Sequence, residues 1–216
     1  MEGLPKELRL LFNGSKAEDV SCRSKAKTYR FDCGLYLKIG EKGELAKENE
    51  MASIFHALGL GPKVVAFHSA EKDYLVLEEA KGNDLTHHLD DPETVCRVLA
   101  KSLRLLHASS VEGVPSSDKF IQYGEAKGAK SLKMDTFIHG DACLPNVIID
   151  GTDFQAFVDT GLAGIGDRHI DLYWALWSLE YNFKTDHYSG LFKDLYGRNE
   201  IDEEKLKIVR ALESIS

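Results

Sequence analysis

Cysteine is scarce and scattered. Cys22, Cys33, Cys96 and Cys143 are the four in 216 residues, and no two form a CxxC pair. That spacing argues against a structural zinc site or a disulfide framework. No run of apolar residues is long enough to span a bilayer, so no membrane association is expected. The first residues, Met-Glu-Gly-Leu-Pro-Lys, lack the basic start and apolar stretch of a secretion signal. The expected location is therefore the cytoplasm, with reduced thiols. Positive charge is in deficit: 27 Lys and Arg stand against 35 Asp and Glu, a formal net charge of −8. Such a chain is a poor nonspecific nucleic-acid binder. Repeats and low-complexity tracts are absent. What is present is 43 % hydrophobic and 29 % charged residues, enough to bury a core.

The first 80 residues read as strands and turns. Thr28–Asp32 and Gly34–Ile39 are rich in aromatic and aliphatic residues around a short Cys-Gly turn, a hairpin signal. Leu45–Leu58 places Leu45, Met51, Ile54, Phe55 and Leu58 at helical spacing, and Gly59-Leu60-Gly61-Pro62 supplies stop residues. Val64–His68 and Asp73–Glu79 are further predicted strands. Lys81-Gly82-Asn83 is the expected connector, which divides the chain into 1–80 and 81–216.

Beyond it the pattern turns helical. Pro92–His107 carries Val95, Val98, Leu99, Leu103 and Leu106 on one face, with a first-turn proline. Residues 112–133 lack a period and read as loop with a short helix at most. Phe137–Ile138, Val147–Ile149 and Ala156–Asp159 are predicted short strands, and Ile170–Phe183 and Glu203–Ile215 predicted helices. Residues 1–80 carry 12 basic and 13 acidic side chains, and residues 81–216 carry 15 and 22. The acidity belongs to the helical half. It reads either as a solvated surface or as attraction for a cationic partner.

The informative segment is His139-Gly140-Asp141-Ala142-Cys143-Leu144-Pro145-Asn146, followed by Phe157-Val158-Asp159. Phosphoryl transfer needs a carboxylate to orient the attacking hydroxyl, and Mg²⁺ with hard oxygen ligands to neutralise a triphosphate. Asp141 fits the base. Asn146, five positions on, and Asp159, at the end of the next hairpin, fit the metal. The catalytic loop of protein kinases has the same Asp-x-x-x-x-Asn spacing. The competing reading has Asp141 and Asn146 shaping a turn and Asp159 capping one. His139 reads as a group that holds the loop by hydrogen bonds. Lys38, on a strand among apolar neighbours, needs a partner, and Glu48 on the following helix supplies it. Glu50 is the nearest rival but lies on another side of that helix. Lys38 alone also reads as a snorkelling edge-strand lysine.

These segments resemble aminoglycoside phosphotransferases of the 3′-modifying type, a bacterial branch of the protein-kinase-like fold. HGDACLPN resembles that family's catalytic loop, and FVDTGLAGIGDRHIDL its metal-Asp segment. TYRF…YLKI and LAKENEMASIF…GLGPKVV resemble its small lobe. The resemblance implies an α+β, two-lobed kinase-like fold, with an antiparallel nucleotide-binding lobe at 1–80 and a mainly helical catalytic lobe at 81–216. It implies ATP and Mg²⁺ as cofactors, Asp141 as base, Asn146 and Asp159 on Mg²⁺, and Lys38 with Glu48 on the phosphates. It also implies Ser24, in the loop Cys22–Ala26, near the β-phosphate. Backbone groups of Glu78 and Ala80 would read adenine, and Asp171 would be a structural acid behind the catalytic loop.

The chain departs from the family between His107 and His139, where relatives carry a longer helical insert. Leu162 and Trp177 stand where Arg is common, and Ser214 where an acid is usual. The expected activity is γ-phosphoryl transfer from ATP to an aminoglycoside hydroxyl, by a protein expected to be a monomer. Glu180, Asp186 and Glu213 are the candidate contacts for the substrate's ammonium groups, each equally readable as a solvated carboxylate. The alternatives are a kinase of another hydroxylated metabolite, such as an amino sugar, and a non-catalytic nucleotide-binding relative.

Overall fold

The computed structural model describes residues 4–21, 26–124, 126 and 129–214. Chain contacts divide it into two units, Met1–Ala80 and Lys81–Ser216. In the first unit, α1 (Lys6–Arg9) and β1 (Ala17–Asp19) precede β2 (Lys27–Phe31) and β3 (Leu35–Glu41). Then come α2 (Ala46–Ala57), β4 (Val64–Ser69) and β5 (Lys72–Glu78). The five strands form one antiparallel sheet in the order β1-β2-β3-β5-β4.

Strand alternation sends side chains to two faces. Leu37, Phe31 and Val76 pack with Leu8 and Phe12 on one face, where the rings of Phe12 and Phe31 stack at 4.1 Å. Leu75 and Leu77 pack with Leu45 and Ala52 on the other. The predicted helix forms as α2 and ends as its sequence requires. Gly59 takes φ +70, its N–H donates to the His56 carbonyl at 2.9 Å, and Leu60 N–H reaches back to Phe55 at 2.8 Å. These bonds satisfy the last carbonyls of the helix.

The second unit begins with β6 (Asn83–Asp84) and α3 (Pro92–His107), then α4 (Asp118–Tyr123), β7 (Thr136–Ile138), β8 (Val147–Asp150) and β9 (Asp153–Phe157). It continues with β10 (Gly164–Gly166), α5 (Arg168–Phe183), α6 (Ser189–Tyr196) and α7 (Glu203–Glu213). The helices start at acceptors the sequence supplies. The side chain of Asp91 accepts from Thr94 N–H, that of Asp167 from His169 N–H, and that of Asp202 from Glu204 N–H. β7 pairs with β10, and β8 lies between β6 and β9. Ile138, Ile170, Val209 and Leu212 join β7, α5 and α7 in one buried cluster.

Five elements escape the sequence pattern: α1, β1, β6, β10 and α6. β10 is Gly-Ile-Gly, β1 has no buried residue, and α6 follows a polar stretch with no cap signal. The third hairpin strand ends at Phe157 rather than Asp159. Among the described residues no helix is long and apolar enough to cross a membrane.

Candidate active site

The loop after β7 is built on a buried carboxylate. Asp171, in the first turn of α5, has no exposed surface. It accepts from the N–H of His139 and of Gly140, each at 2.8 Å, and meets His107 Nε2 at 3.1 Å. Both oxygens are therefore held by donors, which compensates the burial of the charge. Gly140 is required here. Its φ is +83, and a Cβ would lie 2.5 Å from the Leu162 carbonyl oxygen. His139 Nε2 lies 2.9 Å from the Val158 carbonyl, so this nitrogen carries the proton, and Nδ1 accepts from Asp141 N–H at 3.3 Å. The His139 ring thus ties its loop to the backbone at Val158 and Asp141, and it packs against the Phe157 ring at 5.4 Å.

Asp141 is half-buried, and two groups of its own loop steady its carboxylate. Cys143 Sγ lies 3.0 Å from Oδ1, and Asn146 Nδ2 lies 3.2 Å from Oδ2 and 2.9 Å from the Asp141 carbonyl. The Cys143 thiol is pushed up by burial first and by the Asp141 charge next, so it stays protonated and donates. Both Asn146 bonds use Nδ2, which leaves Oδ1 as its acceptor for a cation. The Asn146 carbonyl accepts from Val158 N–H at 3.0 Å, beside the Val147–Phe157 pair of the β8–β9 hairpin. That bond sets Asp159 one residue further along, next to the Asn146 turn. Asp159 is exposed and takes φ 56, uncommon for a side-chain-bearing residue, and it makes no capping hydrogen bond.

Among the described residues no group of three or more His, Cys, Asp or Glu is arranged to hold a metal. One carboxylate and one amide oxygen suit Mg²⁺, which takes few protein ligands and completes its shell with water and phosphate.

In the first unit, Lys38 Nζ and Glu48 Oε1 lie 2.5 Å apart, with 13 % and 10 % of their side chains exposed. β3 runs between β2 and β5, so Lys38 is not an edge-strand lysine snorkelling to solvent. Glu78 N–H is committed to the Lys63 carbonyl at 2.9 Å, and no hydrogen bond within the described residues engages the backbone of Ala80. Ala80 therefore offers both a donor and an acceptor. Ser24 lies outside the described residues.

The acidic candidates differ. Glu180 and Asp186 are exposed. Glu213 is not open: it accepts from Tyr123 Oη at 2.6 Å and Trp174 Nε1 at 3.1 Å, and it pairs with Lys119 at 2.8 Å. With 7 % of its side chain exposed, Glu213 ties α7 to α4 and α5. Sequence reasoning also missed Cys143, His107 and Ser178, whose Oγ accepts from Leu144 N–H at 3.0 Å. Only the spacing of Cys143 two residues after Asp141 hinted at such a role.

Residues 126–207 match the model of the phosphotransferase enzyme family. A probable aminoglycoside 3′-phosphotransferase of Lactococcus lactis is 32 % identical over 99 % of this chain and 95 % of its own. An aminoglycoside 3′-phosphotransferase of Niallia circulans is 29 % identical over 62 % of this chain and 64 % of its own. Among solved structures, an aminoglycoside-3′-phosphotransferase of type VIII superposes with a TM-score of 0.77 at 25 % identity, covering 95 % of this chain and 96 % of that one. A Streptomyces rimosus aminoglycoside phosphotransferase, solved with ADP and streptomycin, shares the fold at a TM-score of 0.75 and 18 % identity, over 95 % and 94 % of the two chains. The Lactococcus alignment runs over 249 positions against 216 residues here, so that relative carries segments this chain lacks. By the extent and identity of the Lactococcus match, the chain belongs to the aminoglycoside phosphotransferases, kinases that act on hydroxyl groups, with a two-lobed kinase-like fold.

Proposed function

We propose that this protein transfers the γ-phosphoryl group of ATP to the 3′-hydroxyl of an aminoglycoside by direct in-line displacement. The observation that carries the reading is the loop in which Asn146 Nδ2 holds Asp141 at 3.2 Å while the Asn146 carbonyl anchors Val158, beside Asp159. Asp141 accepts the acceptor hydroxyl's proton as the oxygen attacks phosphorus, and the ADP oxygen leaves on the opposite side. Cys143 and Asn146 keep the carboxylate aimed. Asn146 Oδ1 and Asp159 would hold Mg²⁺, which when bound neutralises charge on the phosphates. Lys38, oriented by Glu48, meets the α- and β-phosphates, and Ser24 the β-phosphate. The Glu78 carbonyl and the Ala80 backbone read adenine. The first unit is thus the nucleotide-binding lobe and the second the catalytic lobe. The −7 charge of residues 81–216 favours a polycationic acceptor, with Glu180 and Asp186 as its exposed contacts. No chemical step requires a second subunit, and the protein acts as a cytoplasmic monomer.

The test is mass spectrometry of an aminoglycoside panel incubated with ATP and Mg²⁺. A gain of one phosphate on kanamycin, absent with Asp141→Ala, is expected, and NMR of the product locates it at the 3′ position. Removing the base should cost at least about 100-fold in kcat, while nucleotide binding persists. Phosphate at another position refutes the regiochemistry. The shorter chain relative to the Lactococcus protein favours a second reading, a kinase of a smaller hydroxylated amine such as an amino sugar. Phosphorylated amino sugar with untouched kanamycin would select it.

A further inference from the structure

Both tryptophans of the chain sit on α5. Trp174, Trp177 and Tyr181 recur at i, i+3 and i+7 and so line one stripe of the helix. Their rings form a ladder. Trp174 meets Trp177 edge-on at 5.4 Å, and Trp177 stacks on Tyr181 at 5.1 Å with an 11° interplanar angle. Trp177 is 40 % exposed and Tyr181 51 %, though such rings carry the largest apolar area a side chain can bury. The ladder borders the proposed catalytic loop. Ser178, directly after Trp177, holds Leu144 N–H, and the Trp174 carbonyl lies 4.0 Å from Cys143 Sγ.

The protein's own cations close both ends of the ladder. Lys119 Nζ lies 5.1 Å from the Trp174 ring centroid, and Lys184 Nζ lies 4.1 Å from that of Tyr181. Lys119 is also held by Glu213 at 2.8 Å. Lys184 is not held in this way. It follows Glu180 by four residues, but it caps α5 at φ 58 instead of continuing the helix, so the spacing that pairs Glu with Lys on a helix does not apply. No such pair forms among the described residues, and the ammonium lies over the ring instead. The open end of the ladder thus already binds an ammonium, and beside it stands an exposed, uncompensated carboxylate.

We propose that Trp177, Tyr181 and Glu180 form the subsite for an ammonium-bearing ring of the acceptor, and that Lys184 is its internal placeholder. The inference rests on the cationic-acceptor reading above. An aminocyclitol or amino sugar ring would lay its C–H face on the aromatic stack and bring its ammonium to Glu180 and the Tyr181 face, displacing Lys184 to solvent. The site combines an apolar platform with a single charge, so it selects aminated rings over neutral sugars.

Steady-state kinetics with kanamycin test it, alongside the intrinsic fluorescence of the two tryptophans. Tyr181→Ala and Trp177→Ala should raise the kanamycin KM about three- to tenfold, more than they lower kcat. Lys184→Asn should lower that KM about two- to fivefold, because it removes the competing cation at a left-handed position that Asn tolerates. Leu105→Ala, exposed on α3, is the control. Kanamycin should quench the fluorescence and raffinose, a neutral trisaccharide, should not. Unchanged KM in both aromatic variants overturns the subsite, as does equal quenching by raffinose. If no aminoglycoside is phosphorylated at all, the acceptor assigned above fails, and the fluorescence alone decides this inference. Quenching by kanamycin that Tyr181→Ala abolishes sustains it, and its absence in the unaltered protein overturns it.

Discussion

Replacing Asp171 by Asn tests whether the buried carboxylate builds the Asp141 loop. The side chain has no exposed surface and meets three donors: the N–H of His139 and Gly140 at 2.8 Å each, and His107 Nε2 at 3.1 Å. An amide of the same shape keeps one acceptor oxygen and turns its NH₂ toward a donor. Hydrogen bonds to a charged group contribute about 1 kcal/mol more than neutral ones, and an unmatched buried donor costs about 1–3 kcal/mol. Two weakened bonds and one lost bond together give a destabilisation of about 3–5 kcal/mol. That is a large share of the roughly 5–15 kcal/mol that holds a protein folded.

Urea unfolding at pH 7 measures the change directly. In a chain of this length each kcal/mol moves Tm by about 2–4 °C, so a fall of about 6–20 °C is expected. Phosphotransfer should fall at temperatures where the variant is still folded, because Gly140 and His139 lose the anchor that sets Asp141. A loss under about 1 kcal/mol with unchanged turnover would refute the argument, since it would leave the loop standing without its buried acceptor.

Three further outcomes follow from single contacts. Lys38→Ala removes the cation that lies 2.5 Å from the largely buried Glu48 carboxylate and should cost about 3–5 kcal/mol, while Lys38→Met with Glu48→Leu should recover most of that stability and none of the activity. Equal unfolding curves for the single and double variants would contradict it. Cys143, whose thiol is pushed up by burial and by Asp141, should alkylate with iodoacetamide at pH 8 at least about tenfold more slowly than exposed Cys33, read by peptide mass spectrometry. Asp167 is held well below the usual carboxylate range. Burial opposes this most strongly, but hydrogen bonds from His169, Lys205 and the Lys133 N–H outweigh it. Its contribution to stability is present above the unfolded value of about 3.9 and is lost as pH falls toward the depressed folded one. Asp167→Asn should therefore flatten the loss of stability between about pH 4 and pH 2, seen by circular dichroism during acid titration. An unchanged acid midpoint would rule this out.

Periodicity located the elements whose burial is one-sided. α3 runs from Pro92 to His107 as its apolar stripe and first-turn proline require. The β2–β3 hairpin turns at Gly34, where φ is +77. Elements without such a signature were illegible. Gly164–Gly166 becomes a strand only because β7 lies beside it, and Gly164 fits because a Cβ there would meet the Pro115 carbonyl oxygen at 2.5 Å. At the candidate site, local spacing was enough to bring Asp141 and Asn146 together, since both lie on one short loop. Contacts between distant segments were not available to it. His107 and Asp171 are 64 residues apart, and Glu213 meets Tyr123 across 90.

The sequence by itself determined the two-lobed kinase-like fold class and the family, because turn residues, helical stripes and a contiguous catalytic loop are local features. Only the tertiary structure decided which charges are matched. Glu213 and Glu180 are both acids on predicted helices, yet Lys119 neutralises the first while the second faces solvent with its nearby lysine laid over an aromatic ring. The difference is which groups packing brings within a few ångströms, and no spacing along the chain encodes that.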